Sequence, residues 1–154
     1  MPLVKVAILW LINERGEILM AKRAAHMNTD AGAWGPSVSG KVDAGETLDA
    51  AVRREAHEEL GLANADILPI FLHEEVYADR PDGREREFGL FYANVSSDIT
   101  KRITLEPNEV SELRWFRKSE LQQLANGQSE VLIISSAREL WDKIFLHLEP
   151  VAGT

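Results

Sequence analysis

One segment constrains this 154-residue chain more than any other: TLDAAVRREAHEELG, residues 47–61. Thr47 offers a side-chain oxygen ahead of the periodic run, and Asp49 sits in the first turn. Gly61 can take the left-handed conformation that ends a helix. These signals predict a helix over 48–60. At about 100° per residue, Leu48, Ala51 and Val52 mark its buried side, and Arg53 and His57 its polar pole. Glu55 and Glu59 fall at nearly the azimuth of Leu48 and Val52, and Glu58 falls beside Ala51. The inward stripe therefore changes from apolar to acidic along the helix, and all three acids are expected to turn toward the protein body.

Like charges four residues apart on a helix repel. Carboxylates turned inward also lose their hydration. A divalent cation would offset both costs. Oxygen ligands without cysteine or histidine favour hard ions, so Mg²⁺ is the expected ion, with Mn²⁺ as a substitute. The bland alternative is a solvated acidic helix end. The loop GKVDAGE, residues 40–46, leads into the helix. Gly40 and Gly45 let its backbone approach a ligand, and a helix N-terminus favours anions. Arg54 stands four residues before Glu58, and Glu46 lies just ahead of the helix. An Arg54–Glu46 pair would tie loop to helix, unless it is an ordinary surface pair of small worth.

The rest of the chain supplies strands. VKVAILWLI, residues 4–12, is a continuous apolar run rich in β-branched residues. It is too short to span a bilayer and reads as a buried strand rather than a signal peptide. A turn at 13–17 and ILMAKR at 18–23 complete a hairpin, and a loop-like stretch over 24–46 holds a short strand near Ser37–Ser39. Residues 67–78 and 86–95 form a second hairpin about a turn at 81–83. A strand over 109–118 and a short helix over 119–125 follow. Ala137, Leu140, Trp141, Ile144, Phe145 and Leu148 make one apolar stripe on a last helix over 129–148. Paired strands with few helices predict an α+β fold, a mixed sheet between helices, and the length suggests one domain over 1–154.

The formal net charge of −8 argues against nucleic acid or an anionic membrane as partner. No cysteine is present, which excludes disulfides, thiolate catalysis and cysteine-based zinc sites. A cytosolic location is the default expectation.

Residues 40–62, GKVDAGETLDAAVRREAHEELGL, resemble the Nudix box, the pattern G-x5-E-x7-R-E-U-x-E-E-x-G-U. Gly40, Glu46, Arg54, Glu55, Glu58, Glu59, Gly61 and Leu62 all agree with it, and Ala56 stands where the family more often carries a bulkier aliphatic. RWFRKSEL, residues 114–121, resembles the family's segment before its terminal helix. The resemblance implies an α/β/α sandwich and Mg²⁺-dependent hydrolysis of a diphosphate linkage in a small nucleotide or other diphosphate substrate. It implies Glu55, Glu58 and Glu59 as metal ligands, with the Gly40 carbonyl alongside. Glu46 and Arg54 would orient the helix, and one of Glu55, Glu58 and Glu59, or a more distant acid, would activate water. Such an acid often comes from outside the box. Among Glu106, Glu109 and Glu112, Glu109 is favoured, ahead of Glu85 and Glu87. Dimers are common in the family, which leaves a homodimer open.

Lys22, Arg23 and His26 could meet substrate phosphates but read more readily as solvated charges. Trp34 could stack on a base or cover a core edge. Two other functions compete. Isopentenyl-diphosphate isomerases share the fold, and residues 33–46 look somewhat like their corresponding region. Those enzymes resemble a metal site with histidine ligands and a catalytic cysteine before the box, where this chain has Ser37 and Ser39. A non-catalytic binding module would have lost its acids, and the intact box speaks against it.

Overall fold

The computed structural model describes residues 4–25, 32–77 and 85–125. A seven-stranded mixed sheet organises them. Its centre is β1 (Val4–Ile12), and β2 is Ile18–Arg23. Next come the two-residue β3 (Trp34–Gly35), β4 (Val38–Lys41) and helix α1 (Leu48–Leu60). Then follow β5 (Ile70–Tyr77), β6 (Arg86–Asn94), a 3₁₀ turn at Ser97–Arg102, β7 (Val110–Phe116) and helix α2 (Lys118–Ala125). The expected turn at 81–83 and helix at 129–148 lie outside the described residues.

The β1 run is continuous rather than alternating because both of its faces are covered. Ile8, Trp10 and Ile12 enter one core layer with Met20, Trp34, Leu90 and Phe116. Ala7, Leu9 and Leu11 enter the other, with Leu19, Val38, Val52 and Leu60. Along one edge β1 runs parallel to β6, from Val4↔Arg86 to Ile12↔Asn94. Its other edge is shared. β4 takes Val6 to Leu9, and β2 takes only Leu11 and Ile12. The expected hairpin thus forks after two pairs, and β2 goes on to pair with β3 and β7. At the fork, the buried Ser37 hydroxyl accepts from the Leu11 N–H at 2.9 Å and donates to the Leu19 carbonyl. It satisfies backbone groups that the parting strands leave unpaired.

Helix α1 begins and ends as its sequence predicts. Thr47 Oγ1 accepts from the Ala50 N–H at 3.1 Å, and Gly61 adopts φ 70°. The helix buries Ala51, Val52, Ala56 and Leu60 against the sheet. Truncating a fully buried leucine such as Leu60 to alanine typically costs about 2–5 kcal/mol. No helix among the described residues is long and apolar enough to cross a membrane.

Candidate metal centre on helix α1

Glu55, Glu59 and Glu109 each bring a carboxylate oxygen to within 4.8 Å of the others. Two come from α1. The third stands in the turn just before β7, and its placement has a clear cause. The last carbonyls of a helix lack intrahelical partners. Here the Leu60 carbonyl accepts from the Thr104 N–H at 2.8 Å and the Glu59 carbonyl from the Glu106 N–H at 3.0 Å. The segment that docks on the helix end thereby carries Glu109 back to the acids. Its backbone is held on both sides: the Glu109 N–H donates to the Glu106 carbonyl, and its own carbonyl accepts from the Ala24 N–H, both at 3.0 Å.

Glu59 is 7 % exposed. Its Oε2 accepts from the Ser39 N–H at 3.3 Å. Burial pushes its pKa up to about 9, and the neighbouring Glu55 and Glu109 add to the rise. Burial also raises Glu55, against the opposing pull of Arg54. Gly40 lies directly beneath the Glu55 carboxyl. A Cβ there would come within 2.2 Å of Glu55 Cδ, so any larger residue would displace the Glu55 carboxyl.

Arg54 works on the other side of the same turn. Its Nε and Nη2 grip Glu46 at 2.8 and 2.9 Å, a two-pronged pairing of the kind guanidinium favours. Nη2 also donates to the Lys41 carbonyl at 2.9 Å, and Nη1 to Glu55 at 2.8 Å and Glu58 at 3.2 Å. The Arg54 hydrogen bond, with help from the Asp43 backbone, holds Glu46 down at about 2. The expected Arg54–Glu46 pair is therefore present, and it ties β4, the loop and the helix together.

The expectation that all three acids turn inward fails for Glu58. Its side chain is 55 % exposed and rests on Arg54. The buried residues of the helix are Ala51, Val52, Ala56, Glu59 and Leu60, and Glu58 lies about 100° from Glu59 around the helix. The Ala51 side chain is short enough to stay buried near that azimuth, whereas a glutamate reaches past the edge into water. Sequence reasoning also passed over Asp43, whose Oδ2 lies 3.5 Å from Arg54 Nε, and the backbone groups of Ser39 and Lys41. No residue-type signal marks them, since two act through the main chain.

Of the remaining candidates, Trp34 belongs to the core. It is 7 % exposed and packs edge-on against Phe116 at 5.2 Å. His57 is exposed on the polar pole, as its azimuth predicts. Glu87 pairs with Lys5 at 3.7 Å, and Glu112 is exposed opposite Lys22. Arg23 pairs with Val110, one residue from Glu109, and His26 lies outside the described residues. An open cleft of about 540 Å³ on the outer side of α1 is lined by Asp49, Arg53, His57 and Asn64 among others, and none of the three clustered acids lines it.

The NUDIX domain model matches residues 1–133. The isopentenyl-diphosphate Delta-isomerase of Citrobacter koseri is 30 % identical over 107 residues, covering 69 % of this chain and 58 % of the relative. The chain thus spans well under two thirds of the length of such curated relatives. Among solved structures, the MutT NUDIX hydrolase of Burkholderia pseudomallei superposes with a TM-score of 0.72 at 23 % identity, covering 94 % of this chain and 99 % of that one. The Ap4A hydrolase of C. elegans superposes at 0.68 and 20 % identity, covering 96 % and 98 %. These likenesses establish the fold that the sheet and α1 display.

Proposed function

The chain belongs to the NUDIX domain family, and on that premise we propose that it is a metal-dependent hydrolase that cleaves the diphosphate bridge of a small nucleotide or related substrate by attack of water at phosphorus. The observation that carries this reading is the meeting of Glu55, Glu59 and Glu109. The three carboxylates run from the buried Glu59 through the half-buried Glu55 to the exposed Glu109, and among the described residues Arg54 reaches Glu55 at 2.8 Å. A cluster kept for structure would be neutralised by its neighbours. Among the described residues this one gathers more negative than positive charge, and its all-oxygen donors suit Mg²⁺, or Mn²⁺ in its place.

The residues fit such an ion. Glu55, Glu59 and Glu109 would hold it, with the Gly40 carbonyl beside Glu55 and Glu58 at the exposed edge. When bound, the cation would neutralise charge developing on the phosphoryl oxygens. The protein's own part is placement. Arg54 and Glu46 lock the loop to the helix and so fix the direction of Glu55. Glu59 gives up its proton as the site fills, because a metal ligand must be ionised. Glu58, Glu59 and Glu109 are the acids available to take a proton from the attacking water.

Incubation with a panel of nucleoside triphosphates, dinucleoside polyphosphates and nucleotide sugars, with Mg²⁺ or EDTA and products identified by mass, tests this reading. Metal-dependent cleavage at a diphosphate bridge is expected. Full activity in excess EDTA would rule it out.

The identity to curated isomerases favours a second reading, isomerisation of an isopentenyl-type diphosphate. Two observations weigh against it. The chain has no cysteine, and the Ser37 hydroxyl is buried with both its donor and an acceptor position committed to β1 and β2. An isomerised five-carbon diphosphate in the same assay, with no cleavage of any bridge, would reverse the preference.

A further inference from the structure

We propose that Gly89, outside the box and far from the acids in sequence, is the positioning residue that seats α1 at the height the metal centre needs. This inference rests on the metal-centre reading above. Gly89 lies in β6, between Ala7 of β1 and Glu74 of β5. A Cβ built there would meet Leu48 Cδ1 at 2.7 Å, Cδ2 at 2.8 Å and Cγ at 3.2 Å. Leu48, the first residue of α1, therefore rests on bare backbone. The methyls must turn away, and Cγ, at 3.2 Å, must also give by a few tenths of an ångström. Leu48 is packed against the core, so we infer that part of this adjustment is taken up by a small lift of the helix start.

The two ends of α1 are held differently. The carbonyls of Glu59 and Leu60 bind the 104–106 backbone, which also delivers Glu109, so those two acids travel together. The other end is seated on the sheet through Leu48. Lifting it tilts the helix about its fixed end. Leu48 and Glu55 lie within about 20° of one azimuth, so the motion drives Glu55 away from Gly40 and out of its place beside Glu59 and Glu109. Glu55 is the ligand most exposed to the error. A glycine inside a strand weakens the strand unless close approach requires it, and here Leu48 supplies that requirement.

The test measures Mn²⁺ binding by calorimetry and by the electron paramagnetic resonance of free Mn²⁺, with no substrate present. Five proteins are compared: wild type, Gly89→Ala, the double variant Gly89→Ala with Leu48→Ala, Glu55→Gln, and Glu55→Gln with Gly89→Ala added. Gly89→Ala is expected to weaken Mn²⁺ binding about tenfold or more, the usual range for losing a group that orients a ligand. The double variant restores binding to within about threefold of wild type, because space is returned beneath the helix. Adding Gly89→Ala to Glu55→Gln weakens binding little further, because the displaced ligand is already gone. Wild-type affinity in Gly89→Ala overturns the inference. So does a folded double variant that stays as weak as the single one. If Gly89→Ala does not fold, the double variant decides: folding with near-wild-type affinity supports the seat, and failure to fold overturns it. If wild type itself binds no Mn²⁺, the metal-centre reading fails first and this inference with it.

Discussion

Helix α1 treats its acids in two opposite ways. On the loop side, Glu46, Asp43 and Glu58 gather round Arg54, and the charges settle one another within the chain. On the sheet side, Glu55, Glu59 and Glu109 meet, and among the described residues Arg54 reaches only Glu55 of the three. The consequences appear in the proton affinities. Glu46 is held down at about 2, and Glu59 is pushed up to about 9. Both glutamates belong to one motif and lie thirteen residues apart in sequence. The difference teaches that acid density says little by itself. A self-neutralised cluster builds structure, and an unneutralised one is where the proposed ion would be needed.

The sharpest way to break this comparison is Glu59→Gln. On the sheet side, function and stability should part company. We expect kcat to fall about 10²- to 10³-fold, the scale on which a key electrostatic group matters. The metal-free protein should meanwhile melt higher at pH 8, because a neutral amide replaces a carboxyl that burial penalises when ionised. Steady-state kinetics and paired melting curves check both halves. Loss of activity together with loss of stability would mean that Glu59 is structural.

The opposite result is expected across the turn. Arg54→Met leaves Glu46, Glu58 and the Lys41 carbonyl without their donor. Hydrogen bonds to charged groups contribute about 1.5–3 kcal/mol, so a loss of about 2 kcal/mol is expected, or roughly 4–8 °C in melting temperature. Arg54→Lys should recover only part, because an ammonium lacks the planar fork that grips Glu46. A melting temperature unchanged in Arg54→Met would reduce the latch to a surface pair.

The pH dependence separates the two regions without mutation. Glu59 and Glu55 bind protons more tightly folded than unfolded. Their contribution is complete below the ordinary carboxylate value near 4.5 and is lost as pH rises toward about 9. Glu46, Glu17, Asp66 and Glu120 are lowered, so their contribution is present above the ordinary range and lost in acid. The metal-free protein should therefore be most stable near pH 5 and weaken toward pH 9. Mg²⁺ should flatten the alkaline side, raising the melting temperature more at pH 8 than at pH 5.5, since binding releases the protons. A metal effect equal at both pH values would separate the ion from these carboxyls.

Much of this was legible in the chain, for reasons that differ by element. The caps of α1 are local chemistry, so Thr47 and Gly61 announced them. The burial of β1 on both faces shows in its unbroken apolar run. Glu55 and Glu59 share an azimuth with Leu48, so their inward turn follows from periodicity. Other features depend on distant partners. The fork at Ser37, the two-residue β3 and the docking of 104–106 on the helix end are settled by contacts between remote segments. Glu58 was misplaced because azimuth fixes where a side chain leaves the helix, and a long charged one then reaches water. Gly89 gave no signal, since its meaning lies in Leu48, 41 residues earlier.

The smallest effect separates helix stability from helix placement. Thr47→Ala removes the acceptor for the Ala50 N–H, 3.1 Å away, at the same end of α1 that Leu48 seats. Losing such a cap costs about 1 kcal/mol, or roughly 2–4 °C in melting temperature. The cap neither lies under the helix nor touches the latch. It governs how often the first turn frays, and it leaves unchanged where that turn rests when formed. Mn²⁺ affinity in Thr47→Ala should therefore stay within about twofold of wild type while stability falls. Gly89→Ala should do the reverse, losing affinity out of proportion to stability. If the cap variant loses Mn²⁺ binding as steeply as the glycine variant, the order of the helix start governs the site, and the height of the helix above the sheet does not.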